Sequence, residues 1–245
     1  LGAALVASWA MLALEGAPRD LGFGLRRRAA LEVGFGLVAG TAGVLAVVAA
    51  LTLAGVYRFE PEPGTVSGWL GVAGGSLIAF AIPAAAEEAV FRGYALRALR
   101  EAGGTVAAVL ATSVMFALAH GANPGVGGLA LVNIFAAGVL LAVAVLRTGS
   151  LWFASAVHLG WNWVMAGPLD LPVSGLDLFD APYYDGVATG PAWLGGGPFG
   201  PEGGLAGTAA AVLVLALIVH WTRPGAVLAP ADSEGEAEGW RRSTG

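Results

Sequence analysis

Apolar positions along this chain fall into long, unbroken runs of Ala, Leu, Val and Gly rather than into one-sided stripes. Scanned in windows of about 19 residues, these runs predict membrane-length helices at 29–56, 67–99, 105–120, 126–146, 151–166 and 205–221. A further apolar stretch at 1–14 is shorter than the roughly 20 residues a span needs and reads as the remainder of a first one. The expected fold is therefore all-α, a polytopic membrane bundle of about seven transmembrane helices. A transmembrane barrel would show segments of about ten residues with alternating polarity, and the chain has none of that pattern. Pro83 offers a place for a kink in the 67–99 helix because it removes one helical hydrogen bond. Gly36 with Gly40, and Gly71 with Gly75, have the four-residue spacing that lets helices approach closely.

Composition agrees with lipid as the main solvent. Hydrophobic residues make up 57% of the 245 and charged residues only 12%, about half the charge of an ordinary soluble domain. Cysteine is absent, which excludes disulfides and thiolate metal sites. All twelve basic residues are Arg, and the net charge of −5 offers nucleic acid no basic surface. Threading the spans puts Arg19, Arg26, Arg27, Arg28, Arg92, Arg97, Arg100, Arg147, Arg223, Arg241 and Arg242 on one side or at its interface and leaves Arg58 on the other. The Arg-rich side is expected to be the cytoplasm, so the C-terminus is expected there too, in what reads as a prokaryotic plasma membrane.

The chain divides accordingly. Residues 1–28 hold the partial span and a basic cytoplasmic loop, 29–65 a second span with an outer loop, and 66–166 a helical core. Residues 167–204 form a Gly- and Pro-rich extracytoplasmic loop with Asp170, Asp177, Asp180, Asp185 and Glu202 but no Arg. Such a loop is either disordered or functional. Residues 205–222 give the last span, and 223–245 read as a disordered cytoplasmic tail.

Most charges sit at span ends, but Glu87 and Glu88 precede Arg100 by about a dozen residues, hence lie roughly 18 Å inward along a helix. By the same rise His120 lies about 24 Å from the cytoplasmic end of its span, and His158 and Asn162 about 11 and 17 Å into theirs. An ionisable group at such depth costs at least ~2.5 kcal/mol, which makes it a functional-site hypothesis. Glu88 and Arg92 are four apart and can pair, leaving Glu87 about 100° around the helix to face a cavity. His158 and Asn162 share a helix face, and Phe116 sits one turn before His120. Trp152, Trp161 and Trp163 read as interfacial or packing residues.

The stretches Glu-Glu-Ala-Val-Phe-Arg-Gly at 87–93, Phe-Ala-Leu-Ala-His at 116–120 and His-Leu-Gly-Trp-Asn at 158–162 resemble the EExxxR, FxxxH and HxxxN motifs of the CPBP intramembrane proteases. That family includes CAAX prenyl endoproteases and bacteriocin-processing Abi proteins. The segment from Asn133 to Ser150, with Phe135, Gly138 and Arg147, also resembles the family's connecting helix, and the likeness spans about 66–165. It implies a glutamate-dependent endopeptidase acting on peptide or membrane-protein substrates within the bilayer. Glu87 would be the general base, His120 would hold and polarise the water, and His158 and Asn162 would stabilise the oxyanion. Glu88, Arg92 and Phe116 would support them.

The family is commonly termed metalloprotease, so zinc on Glu87, His120 and His158 plus one water stands beside the metal-free mechanism, and no cofactor is certain. Other intramembrane chemistries lack their residues. No span holds an Asp, there is no H-E-x-x-H, and Ser76 follows Gly74 and Gly75 but precedes Leu77 rather than a second flanking glycine. A proton-coupled transporter or a non-catalytic scaffold or immunity protein of the same family are the rival readings.

Overall fold

The structure, a computed structural model, describes residues 22–25 and 27–223. The partial span at 1–14 and the tail from 224 onward, with Arg19, Arg26, Arg241 and Arg242, lie outside the described residues.

Helix α1 (Ala29–Leu53) leads into strand β1 (Tyr57–Pro61), and then α2 (Val66–Glu88) begins behind Thr65, whose hydroxyl caps it by accepting from the Gly68 amide at 3.1 Å. The helix runs unbroken through Pro83, and the irregularity expected there falls later, where the backbone widens into a π turn at Ala89–Tyr94. Helix α3 (Ala95–Ala119) follows and is interrupted at Gly104, whose φ of 82° and ψ of 168° leave helical space. There the chain doubles back, since the rings of Phe91 and Phe116 meet at 5.3 Å across the bend. Helix α4 (Gly128–Thr148) ends on Gly149 in the left-handed conformation, and Ser150 caps α5 (Leu151–Ala166) by accepting from the Phe153 amide. Strand β2 (Tyr184–Ala188), the short α6 (Ala192–Gly195) and α7 (Leu205–Trp221) complete the described chain.

Six of the expected spans are thus helical, in an all-α bundle that adds one two-stranded antiparallel sheet, β1 with β2. By length and composition, three of these helical stretches can cross a membrane: Ala29–Leu53, Val66–Ala119 and Gly128–Thr148. The 16-residue α5 is shorter, because it is the central helix and not a lipid-facing one. Twelve of its sixteen residues are buried and the other four are half-buried, as befits a helix apolar on nearly every side. Gly36 and Gly40 make this burial possible: a Cβ on Gly40 would stand 2.1 Å from the Val157 carbonyl oxygen, so only glycine lets α1 lie against α5. Outward faces are apolar as well. Ile78 and Ile82 are about three-quarters exposed, a surface that suits acyl chains and not water.

Polar contacts gather at the two ends. At one, Ser150 donates to Glu32 at 2.6 Å, the Leu151 amide bonds to Gly22, and Arg147 at the foot of α4 donates to the Thr222 hydroxyl and carbonyl beyond α7. At the other lie the sheet carrying Arg58 and the 167–204 segment, pinned where Tyr57 donates to the Gly195 carbonyl at 2.5 Å.

Candidate active site

The end of α2, the end of α3 and the middle of α5 converge on one cavity of about 190 Å³. Glu87, His120, His158 and Asn162 all line it, with Phe80, Pro83 and Phe116 among its apolar walls. All four residues expected to carry chemistry therefore face one space.

Glu88 turns away from that space and is fully buried. Its Oε1 accepts from Arg92 Nη1 at 2.9 Å and from His158 Nδ1 at 3.1 Å. The Glu88–Arg92 pair was legible from its spacing, whereas the bond from His158 joins residues that lie far apart in the sequence. Arg92, placed with the cytoplasmic-side Arg residues, is instead only 2% exposed. Burial is tolerable because most of its charge is met: Glu88 takes one nitrogen, the Gly138 carbonyl accepts another at 3.2 Å, and the Phe116 ring centroid lies 4.3 Å from Cζ, while Nε has no hydrogen-bond partner among the described residues. The π turn that contains Arg92 is a local distortion of the kind often found at functional sites.

Hydrogen-bond partners fix the two imidazoles. His120 Nδ1 lies 2.8 Å from the Phe116 carbonyl oxygen, which can only accept, so Nδ1 carries the proton and Nε2 is left as an acceptor in the neutral ring. The Phe116 ring packs on both imidazoles, at 4.7 Å from His120 and 5.9 Å from His158. His158 donates Nδ1–H to Glu88 and presents Nε2 to Glu87, whose Oε2 is 4.0 Å away. That Oε2 has no hydrogen-bond partner among the described residues, although the Glu87 side chain is 22% exposed.

The zinc set raised by the sequence does not assemble in this geometry. Among the described residues no three His, Asp or Glu side chains gather closely enough to hold one ion. Ser76 is fully buried outside the cavity and donates to the Ala73 carbonyl.

Three residues of the cavity wall were not singled out from the sequence. Asn123, Ser174 and Glu202 line it, and Glu202 had been counted only as one acid of the outer loop. Their sole signal was a carboxylate placed directly before an apolar span, which is too common to select one residue. Trp161, expected to be a packing residue, donates its indole N–H to Glu202 at 2.9 Å. Asn133, noted only within the family-like stretch, binds the carbonyls of Glu202 and Gly204 and accepts from Thr208, joining α4 to the start of α7.

Residues 67–164, which hold every one of the four convergent polar residues, match the family model described as type II CAAX prenyl endopeptidase Rce1-like. No match was found among curated proteins, and none among solved structures.

Proposed function

We propose, from the match of residues 67–164 to the Rce1-like family of type II CAAX prenyl endopeptidases, that this chain is an endopeptidase hydrolysing peptide bonds in a bilayer-embedded cavity with a water activated by Glu87. The observation that carries the reading is the convergence of Glu87, His120, His158 and Asn162, from three separate helical segments, on one largely apolar cavity. Polar groups are costly there, so their gathering needs a reason.

Roles follow from hydrogen-bond capacity. Water held between the Glu87 carboxylate and His120 Nε2 gives a proton to Glu87 as its oxygen bonds to the scissile carbonyl carbon. The oxyanion formed is met by the Asn162 amide and by His158 Nε2. Because His158 Nδ1–H is already given to Glu88, Nε2 can donate only when the ring carries a second proton, and the Glu88 carboxylate balances that charge. Glu87 then delivers its proton to the leaving amine as the C–N bond breaks. Glu88 and Arg92 position His158 without touching substrate. The substrate is a peptide segment reached from the membrane, the protein being integral to a prokaryotic plasma membrane with its C-terminal end in the cytoplasm.

Replacing the base tests this directly. Glu87→Gln keeps shape and removes the proton acceptor, so cleavage should fall at least ~100-fold. Cells making wild-type protein should show new peptide termini in their membrane proteome that are missing with the variant. Undiminished cleavage by purified Glu87→Gln protein would remove the assignment.

A further inference from the structure

The 167–204 segment is built into the cavity. Val173, Ser174, Leu176 and Leu178 form one wall, together with Glu202 near the segment's other end. Glu202 is only 5% exposed and its carboxylate accepts three hydrogen bonds: Oε1 from Trp161 Nε1 at 2.9 Å, and Oε2 from the Ser174 amide at 2.6 Å and the Ser174 hydroxyl at 2.7 Å. Ser174 is held from the opposite side as well, since its carbonyl accepts from Asn123 Nδ2 at 2.9 Å. Its φ of 49° places it in the left-handed region, which a serine seldom enters unless neighbouring contacts hold it there. Each anchor adjoins the catalytic candidates: Trp161 precedes Asn162 directly, and Asn123 lies three residues beyond His120.

We infer that Glu202 is a positioning residue that fixes the Ser174–Leu178 wall against α5 and thereby sets which side chains flanking the scissile bond the cavity accepts. Location supports a selective role over a chemical one. Glu202 and the wall lie outside residues 67–164, the part that carries the family match and the four convergent polar groups. Its three hydrogen bonds are also ordinary positioning contacts and engage both of its oxygens. Selection among substrates rests on the peptidase reading, but a wall fixed by one carboxylate can be tested without it.

The chain has no cysteine, so Ala137→Cys, in the part of the cavity lining that α4 supplies, introduces a single thiol as a reporter. In purified full-length protein, adding Glu202→Ala should raise the rate at which a membrane-impermeant maleimide modifies that thiol at least tenfold. Glu202→Gln keeps one acceptor oxygen but turns an amide donor toward Trp161 or Ser174, and should fall between. Should Glu202→Ala fail to fold, Asn123→Ala releases Ser174 from its other side and should accelerate labelling as well. On peptides differing only beside the cut, Glu202→Ala should change the ratio of kcat/KM values at least tenfold, mainly through KM. Unchanged labelling in a folded variant would overturn the inference. So would faster labelling with the order of peptide preference intact, which would reduce Glu202 to a residue of the fold. A wild type inactive on all peptides would instead count against the peptidase reading, and the labelling rates would still decide whether Glu202 fixes the wall.

Discussion

Adjacent in sequence, Glu87 and Glu88 meet opposite surroundings, and the contrast sets what each substitution should do. Glu88 is fully buried and holds Arg92 and His158, while the Glu87 side chain lines the cavity and is partly exposed, its Oε2 without a hydrogen-bond partner among the described residues. Truncating one member of a buried pair strands the other charge, at about 3–5 kcal/mol. Glu88→Ala and Arg92→Ala should therefore each lower the melting temperature in detergent markedly and reduce yield, whereas Glu87→Gln should melt within a degree or two of wild type despite its inactivity. Equal melting temperatures for all three would mean that the Glu88–Arg92 pair is not what holds this corner. The pair itself was readable, because a four-residue spacing on a helix leaves few alternatives. The His158–Glu88 bond was not: a helical pattern as uniformly apolar as α5 carries no mark of which face meets which neighbour.

Among whole elements, the glycine pairs show how far a pattern can be trusted. Gly36–Gly40 and Gly71–Gly75 have the same spacing, yet the first seats α1 on α5, while a methyl group added at either glycine of the second would meet nothing within 4 Å. Gly40→Leu should disrupt the bundle, with loss of folded protein in fluorescence-detected size exclusion, and Gly71→Ala should leave the elution profile unchanged. A stable Gly40→Leu protein would show that the two helices can separate at little cost. Helix positions were legible because long apolar runs admit no other backbone in lipid. Two elements were not. The π turn has no composition signature, and β2 sits in a segment whose Gly and Pro content read equally well as disorder, its strand existing only because β1 offers an edge.

For the molecule as a whole, the two ends of the bundle gather different groups. Arg147 grips the end of α7 while Gly22 and Glu32 meet the start of α5, so one face collects these termini and the sheet with Arg58 closes the other. In the cysteine-free chain, Thr189→Cys should react with an impermeant thiol reagent on intact cells and Arg223→Cys only after permeabilisation. The reverse result would invert the topology and, with it, the side from which substrate is reached. The separation of Arg147 from Arg58 at the two ends was visible in outline from the distribution of Arg, though the burial of Arg92 was not.

The sheet has a bearing on biogenesis. Strand β1 emerges from the ribosome early, but its partner β2 and the Glu202 anchor are made only after α5. A nascent chain that has delivered α1 through α5 thus holds every acid and imidazole of the site yet has one side of the cavity open. Its long-range pairing must wait for nearly the last span. The wall closes only once residues 167–204 have been made, so a product truncated directly after α5 should be inserted with that side of the cavity open.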